Sequence, residues 1–456
     1  MQVDVIVIGA GQAGPPLATR FAREGRRVVV FERALVGGTC VNYGCTPTKT
    51  LIASARAAYE ARRAGDLGVR VGRVEVDLAA VVDRKEAMVQ EWRSGVEKGL
   101  EEAGEGLTLV RDHARFVAPG VVEAGGDRWT AEHVVVNTGA RPAVPDIPGL
   151  DGVPWLDNAS LMGLREIPRH LVVLGGGYIG CELGQAFRRF GSDVTIVDRN
   201  AHLLSREDAD VSEALEGAFR DEGMELVLEA EARRVDPDPD GGVRVVLSND
   251  TTVRGSHLLL AVGRRPNTDD LGCAEGGIER DGRGAIVVDD RYRTSAEGVY
   301  AVGDVTGGPQ FTHASWDDHR ILFDLLHGDD RRTRPDRLVP YAVFTDPQVS
   351  RVGLSERQAR ARGVAHEVAR LPFGRVARAR EVGREVGVIK VLVEPDSERL
   401  LGAAVVGVEA GELIHLVSLL MQADAPARVL VDAEIVHPAF AEGLQSAVMR
   451  LDRYAL

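Results

Sequence analysis

The sequence predicts an α/β protein in which two βαβ units precede a final α+β segment. Two runs of apolar strand, glycine turn and helix-compatible sequence have the same order and spacing, which predicts the two units. Residues 336–456 instead mix strand-like and helix-like runs, which predicts the α+β segment. A chain of 456 residues also exceeds the size at which a single core stops growing, so several domains are expected.

The first βαβ unit begins with the buried-strand run Val5–Ile8 and ends in an acid, Glu32. Between them, Gly9 permits a tight turn, Gly11 lets the backbone approach a pyrophosphate, and Gly14 allows close helix packing. The pyrophosphate would lie at the positive N-terminus of the following helix. Glu32 is placed to bind a ribose diol, so this unit is predicted to bind a dinucleotide.

The second unit repeats this pattern after the run 171–174. Gly175, Gly177 and Gly180 form its glycine turn, and Asp198 ends its second strand. The spacing from first glycine to acid is the same in both units. Asp198 favours a free 2′-hydroxyl and therefore NADH, whereas Arg199 is suited to a 2′-phosphate, so NADPH stays an alternative.

Two cysteines, Cys40 and Cys45, lie close together just after the first unit's second strand. Pro47 suits the first turn of a helix, which places Cys45 near a positive helix end that stabilises a thiolate. Lys49 lies four residues further and shares that face. Zinc needs two more ligands, which no second Cys pair or nearby His offers, so a redox pair is favoured and no metal site is predicted.

The other two cysteines, Cys181 and Cys273, are interpreted as small buried apolar residues. Proline and glycine clusters mark the boundaries between segments. These clusters are Arg141–Gly149, Gly263–Asn267 and Arg332–Asp336.

Composition excludes several classes of partner. The formal net charge of −14 disfavours nucleic acid and anionic membranes, which both require clustered Lys and Arg. No apolar run approaches the length of a membrane span. No charged leader precedes the first strand, so a cytoplasmic location is expected.

With these motifs together, the chain resembles the class I pyridine nucleotide-disulfide oxidoreductase family, in its mercuric-reductase-like and dihydrolipoamide-dehydrogenase-like branch. The resemblance rests on the two βαβ units, the cysteine segment Gly37–Lys49, and the segments Ala301–Asp304 and His437–Glu442. It spans nearly the whole chain.

The resemblance implies FAD on the first Rossmann-like fold, NADH or NADPH on the second, and a C-terminal dimerisation domain. The expected domains are 1–149 (FAD-binding, with the redox disulfide), 150–267 (NAD(P)-binding), 268–335 (second FAD-binding or central part) and 336–456 (dimerisation). The implied FAD residues are Gly9, Gly11, Gly14, Glu32, Arg33, Gly38, Thr39, His113, Ala114, Thr138, Gly139, Gly303, Asp304, Thr312 and His313; the implied NAD(P) residues are Gly175, Gly177, Tyr178, Ile179, Gly180, Asp198, Arg199 and Gly263.

The resemblance also implies catalytic roles. Cys45 would be the charge-transfer sulfur against the flavin, and Cys40 the interchange thiol facing the substrate. The other implied roles are a Lys49–Glu182 pair beside the flavin, Tyr178 as a lid over the nicotinamide site, and His437 with Glu442 as an acid–base pair. A histidine tuned by a carboxylate titrates in the range needed to protonate a leaving thiolate. The active site of the homodimer would be shared across its interface.

The expected reaction passes electrons from NAD(P)H to a disulfide or another small oxidant. The segments Gly11–Pro16, Arg375–Arg380 and Glu412–His415 are most similar to the mercuric-reductase-like branch. Against mercury as substrate, the tail has no vicinal cysteine pair, no metal-binding appendage is expected at the N-terminus, and His437 is retained. Dihydrolipoamide dehydrogenase is the alternative activity, and a flavin-containing redox sensor or scaffold is the alternative of another class.

Overall fold

The computed structural model describes residues 1–329 and 331–454. Its helices are α1 Gly14–Arg23, α2 Gly38–Asn42, α3 Cys45–Arg63, α4 Leu78–Glu101, α5 Asn158–Leu161, α6 Tyr178–Phe190, α7 Ala209–Asp221, α8 Thr312–Leu326, α9 Glu356–Ala361, α10 Ala377–Glu381, α11 Ala410–Gln422, α12 Arg428–Asp432 and α13 Glu442–Val448. No helix in these described ranges is long and apolar enough to cross a membrane.

The strands are short, and each of those named here belongs to a parallel or an antiparallel sheet. They are β1 Val5–Ile8, β2 Val28–Phe31, β3 Leu107–Val110, β4 Arg115–Ala118, β5 Val121–Ala124, β6 Asp127–Thr130, β7 His133–Val136, β8 Ala140–Pro142, β9 His170–Leu174, β10 Asp193–Val197, β11 Glu225–Val227, β12 Ala232–Pro237, β13 Val243–Leu247, β14 Thr252–Gly255, β15 His257–Leu260, β16 Arg264–Pro266, β17 Val299–Ala301, β18 Tyr341–Val343, β19 Gln348–Gly353, β20 Glu367–Pro372, β21 Val388–Val393 and β22 Leu400–Gly407.

The chain divides into two compact units, each built from three separate segments. The first unit comprises Met1–Thr50, Ala80–Ala143 and Gly263–Arg337; the second comprises Leu51–Ala79, Val144–Val262 and Leu338–Leu456. The domain boundaries expected from the sequence stay predictions.

The first unit is organised around a parallel sheet of order β17-β7-β1-β2-β3. Strand β1 pairs with β2 on one side and with β7 on the other, and β7 also pairs with β17. The four residues of β1 are fully buried, as expected for a parallel sheet covered on both faces. A separate antiparallel sheet, β4-β5-β6, and a ribbon of β8 with β16 complete the unit. The boundary cluster Arg141–Gly149 therefore begins within a strand, because Arg141 pairs with Arg265.

The second unit contains two layered arrangements. A parallel sheet of order β11-β10-β9-β15 carries the second βαβ pattern, with the antiparallel sheet β12-β13-β14 nearby in sequence. The last segment forms an antiparallel sheet of order β18-β19-β22-β21-β20. Helix α11 packs on β19 and β22, and α13 packs on β20 and β21. The predicted fold class, with two βαβ units and an α+β segment at the end, is confirmed.

Candidate active site

The first glycine loop leaves no room for side chains on the protein side. Gly9 has a φ of +105°, and a Cβ there would lie 2.4 Å from the carbonyl oxygen of Asn137. A Cβ on Gly14 would lie 2.3 Å from the carbonyl oxygen of Gly9. Helix α1 begins at Gly14, and Pro15 and Pro16 in its first turn carry no N–H, so the positive end of the helix faces the turn with few backbone donors of its own. The loop therefore fits the pyrophosphate of a dinucleotide.

The acid at the end of β2 is fixed by backbone donors. One oxygen of Glu32 accepts from the N–H of Ala10 at 2.8 Å, and the other accepts from the N–H of Ala34 at 2.8 Å. Gly38 packs on the same loop, since a Cβ there would lie 2.7 Å from Cα of Gly11. The structure thus brings Gly38 and Glu32 together with the first glycine loop.

A second group of the residues predicted to bind FAD follows strands β7 and β17. Gly303 has a φ of +73° and begins a short turn that contains Asp304. Burial raises the pKa of Asp304, and Arg264, with Nε 3.8 Å from the carboxylate, offsets only part of that effect. Arg264 was not among the residues predicted from the sequence. Its buried Nε has no hydrogen-bond partner among the described residues, which marks it as a side chain at a ligand site.

Arg264 also joins other predicted residues. Its Nη2 donates to Oγ1 of Thr39 at 3.3 Å and to the carbonyl oxygen of Ala140. Thr138 donates from Oγ1 to the carbonyl oxygen of Asn267 at 2.9 Å. Gly139, next to it, has a φ of +68°, a conformation that favours glycine.

The remaining FAD-side predictions fall into one surface group of the first unit. Arg33 pairs with Asp270 through a 2.5 Å contact, and Nε2 of His113 lies 3.0 Å from the carbonyl oxygen of Asp270. Ala114, which follows His113 in the chain, is buried. This places Arg33 and His113 on a common neighbour, as expected for one end of a bound dinucleotide.

The two cysteines predicted to form the redox pair lie on consecutive helices. Cys40 belongs to α2, and Cys45 is the first residue of α3, with Pro47 in the first turn. A hydrogen bond to Cys45, together with burial, raises the pKa of the Cys40 thiol far above its usual range. Sγ of Cys45 lies 3.1 Å from Oγ1 of Thr312. The two sulfurs are therefore neighbours in different surroundings, because Cys40 is partly buried whereas Cys45 is exposed.

Helix α8 places Thr312 and His313 at its beginning, next to Phe311. The rings of Phe311 and His313 stack, with centroids 5.5 Å apart and an angle of 14° between their planes. Since Thr312 contacts Cys45, residues 267 positions apart in the sequence meet at the redox pair.

The second glycine loop has the same construction as the first. Gly175 has a φ of +109°, and a Cβ on Gly180 would lie 2.0 Å from its carbonyl oxygen. A Cβ on Gly177, by contrast, would meet no atom within 4 Å. Helix α6 begins at Tyr178, directly after Gly177, followed by Ile179. The loop therefore fits a second dinucleotide that approaches the backbone at Gly177.

The acid at the end of β10 is again held by donors. Asp198 accepts from the N–H of Gly176 at 2.5 Å, and from the N–H and the side-chain amide of Asn200 at 2.7 Å each. The side chain of Arg199 is 74% exposed, and its Nη1 lies 3.7 Å from Glu231. Asp198 is therefore rigid and Arg199 is a loosely held surface cation.

Glu182, on α6, is 2% exposed. Its Oε1 accepts from the N–H of Phe344 at 2.8 Å. Lys49 belongs to the first unit and Glu182 to the second, so their pairing stays a prediction. Gly263 lies in the first unit, whereas the other residues predicted to bind NAD(P) lie in the second. Its part in the nucleotide site therefore also stays a prediction.

His437 and Glu442 meet at the beginning of α13. Nδ1 of His437 lies 2.9 Å from Oε1 of Glu442, whose Oε2 accepts from the N–H of Ala439 at 2.8 Å. This hydrogen bond raises the pKa of His437. The N–H of Ala439, and then His437, lower the pKa of Glu442. The side chain of His437 is 70% exposed in the single chain.

Cys181 and Cys273 are both buried. Burial raises the pKa of each thiol, which keeps both sulfurs protonated and unreactive. They are packed as small apolar residues.

Comparison with known proteins identifies the family. Residues 3–318 match the family model described as pyridine nucleotide-disulphide oxidoreductase, and residues 339–448 match the dimerisation domain of the same family. The chain is 36% identical to "Probable pyridine nucleotide-disulfide oxidoreductase RclA" of Escherichia coli (strain K12), over 96% of this chain and 97% of that protein. It is 34% identical to a mercuric reductase of Lysinibacillus sphaericus, over 99% of this chain and 83% of that protein.

A solved structure agrees with these relatives. The Cu(II) complex of the HOCl-induced flavoprotein disulfide reductase RclA from Escherichia coli has a TM-score of 0.90 and 36% identity, over 98% of this chain and all of that chain. The chain therefore belongs to the pyridine nucleotide-disulphide oxidoreductase family and is a flavoprotein oxidoreductase that uses FAD and NAD(P)H.

Proposed function

We propose that electrons from NAD(P)H reach a disulfide or another small acceptor through Cys40 and Cys45. The contact between the two sulfurs at the beginning of α3 supports this proposal most directly. Bound FAD supplies the two-electron chemistry that links a reduced nicotinamide to a disulfide. Two electrons and one proton convert the Cys40–Cys45 disulfide into a thiol and a thiolate. We assign the thiol to the more buried Cys40 and the thiolate to Cys45, because Cys45 is the first residue of α3 and the positive end of a helix stabilises a thiolate.

The experiment uses the difference between the two sulfurs. Cys40→Ser leaves a thiolate at Cys45 beside the flavin site, so the oxidised enzyme should show a long-wavelength absorption band. Cys45→Ser should show none. The two variants are matched controls, since each removes one sulfur and leaves a hydroxyl. Equal spectra for the two variants would contradict the assignment.

In this proposal, FAD occupies the first glycine loop and the turn at Gly303 and Asp304. The two backbone cradles support this placement, because a methyl group on Gly9 or Gly14 would strike backbone atoms. A methyl group on Gly11 would lie 3.2 Å from the side-chain amide nitrogen of Asn137 and 3.7 Å from its carbonyl oxygen, which is no backbone clash. Gly11→Ala should therefore fold and yet release FAD faster than the wild type, measured by the appearance of free-flavin fluorescence.

His437 would act as the general acid that protonates the thiolate leaving from the substrate disulfide. Its Nδ1 is engaged by Glu442, which orients the ring and leaves Nε2 to carry the transferred proton. Because Glu442 raises the pKa of His437, the protonated form persists to higher pH than in a free histidine.

We also propose NADH as the preferred nucleotide. Asp198 is fixed by Gly176 and Asn200 where a ribose diol would bind, and its carboxylate repels a 2′-phosphate. Asp198→Ala should lower kcat/KM for NADH more than kcat/KM for NADPH, and so narrow the preference for NADH. Arg199→Gln should leave kcat/KM for NADH unchanged. A wild-type enzyme that prefers NADPH would contradict this assignment.

We propose that the homodimer shares its active sites, with His437 of each subunit acting on the partner's cysteines. The exposed apolar side chains of Leu416, Leu419 and Val436 support an interface in the dimerisation domain. Reassembly of equal amounts of Cys45→Ser and His437→Ala subunits tests the idea.

Random pairing makes about half of these dimers mixed, and each mixed dimer has one intact site of two if the site is shared. Activity should then recover to roughly a quarter of wild type. With subunit exchange confirmed by mass, no recovery would place His437 in its own subunit's site.

The acceptor is tested with a panel that contains lipoamide, glutathione disulfide, small oxidants, Hg(II) and Cu(II), each with both nucleotides. Cu(II) is included because the similar E. coli structure is a Cu(II) complex. Turnover with lipoamide alone would support dihydrolipoamide dehydrogenase activity. No turnover with any acceptor would support a redox sensor. A cytoplasmic location stays a prediction.

A further inference from the structure

Asn137 lies at the carboxyl-terminal edge of the first unit's parallel sheet, between the loops that follow β1 and β17. Strands β1, β7 and β17 are neighbours and parallel, so their carboxyl ends meet at one edge. Gly9 follows β1, Asn137 follows β7, and Gly303 lies just after β17. The middle strand therefore delivers one side chain between the pyrophosphate loop and the turn that carries Asp304.

The Asn137 side chain is hydrogen-bonded to Gly9 and lies beside Gly303. Its Nδ2 donates to the carbonyl oxygen of Gly9 at 3.3 Å, and lies 3.0 Å from where a Cβ on Gly14 would be. Its Oδ1 lies 3.2 Å from where a Cβ on Gly303 would be. The residue is 5% exposed, so this amide is packed between the two loops.

The turn at Gly303 is supported from its other side as well. The N–H of Gly303 donates to Oδ2 of Asp318 at 2.7 Å, and Oγ of Ser315 lies 2.8 Å from where a Cβ on Gly303 would be. Both Ser315 and Asp318 belong to α8. Gly303 is thus confined between α8 and Asn137, which makes the length of the Asn137 side chain a determinant of where the turn lies.

We propose that Asn137 is a positioning residue that sets the spacing between the first glycine loop and the Gly303–Asp304 turn, and so holds both parts of FAD in register. This inference rests on the FAD placement proposed above. A cofactor that spans two loops binds well only if the distance between the loops is fixed before it binds. Asn137 places its amide nitrogen against the first loop and its amide oxygen beside the second.

Two variants test this role. Asn137→Ala removes the spacer, and Asn137→Asp keeps its shape but replaces the donor to Gly9 with a carboxylate oxygen. Loss of a buried hydrogen-bond partner costs about 1–3 kcal/mol, so FAD should leave either holoenzyme roughly 5- to 150-fold faster than it leaves the wild type. Val134→Ala is the matched control, since Val134 is a buried residue of β7, the strand that Asn137 follows, and packs in the core.

The decisive measurement heats one holoenzyme sample and compares the midpoint temperatures of two transitions. Flavin fluorescence gives the midpoint of flavin release, and circular dichroism gives the midpoint of chain unfolding. In both Asn137 variants, flavin release should precede unfolding by several degrees, whereas in Val134→Ala the two should fall together. If release and unfolding coincide in the Asn137 variants as in the control, Asn137 has only a structural role and the inference is overturned. Normal FAD retention in Gly11→Ala would instead contradict the FAD placement itself.

Discussion

Replacing single glycines in the second loop should separate nucleotide binding from folding. A Cβ on Gly180 would lie 2.0 Å from the carbonyl oxygen of Gly175, and that backbone is held at a φ of +109°. Gly180→Ala must therefore shift backbone, at a cost of about 3 kcal/mol or more in the free energy of unfolding. A Cβ on Gly177 meets nothing within 4 Å, and its φ of −77° suits alanine. Gly177→Ala should cost at most about 1 kcal/mol, as a change at a helix N-cap.

Gly177→Ala, which should hardly affect stability, should instead impair the binding of the nucleotide. The methyl group of Gly177→Ala lies where a pyrophosphate would approach the backbone, so nucleotide binding should weaken. KM for the nicotinamide nucleotide should rise about tenfold for each 1.4 kcal/mol by which the binding free energy falls. The kcat value should change little, because the pyrophosphate is held equally well in the ground and transition states. Urea unfolding and steady-state kinetics with NADH measure the two effects. An unchanged KM for Gly177→Ala, or wild-type stability for Gly180→Ala, would refute the reasoning.

Two further predictions concern charged side chains of the second unit. Glu442→Gln should lower the pKa of His437 toward its ordinary value. As pH rises, the activity that needs protonated His437 should then disappear at a lower pH than in the wild type. A pH profile of kcat/KM that does not move would contradict this. Arg189, only 4% exposed, pairs with Glu222 at 2.7 Å and Asp346 at 3.0 Å. Arg189→Met should reduce the free energy of unfolding by about 3–5 kcal/mol in urea, because two carboxylates lose a buried partner, and a loss below about 1 kcal/mol would show that they are solvated instead.

Local sequence rules were sufficient for the main elements of the fold. Glycines at three fixed positions mark each turn, because only glycine tolerates the φ of Gly9 and Gly175 and the close contacts of Gly14 and Gly180. Apolar runs of four or five residues mark the buried strands that precede them. The cysteine spacing and Pro47 likewise placed Cys45 at a helix beginning. Such features depend on residues close together in the chain, so sequence spacing is enough to predict them.

The tertiary structure decided which distant residues meet. Thr312 contacts Cys45 across 267 positions, and Asn137 lies between Gly9 and Gly303. Asn137 was not predicted from the sequence, although a polar residue directly after a buried parallel strand is a signal for a ligand edge. By itself the sequence determined the strands, turns and cysteine pair, which follow from backbone sterics and hydrophobic periodicity. The order of strands in the sheet determined which of these turns are neighbours in space, because the strand order fixes which carboxyl ends lie side by side.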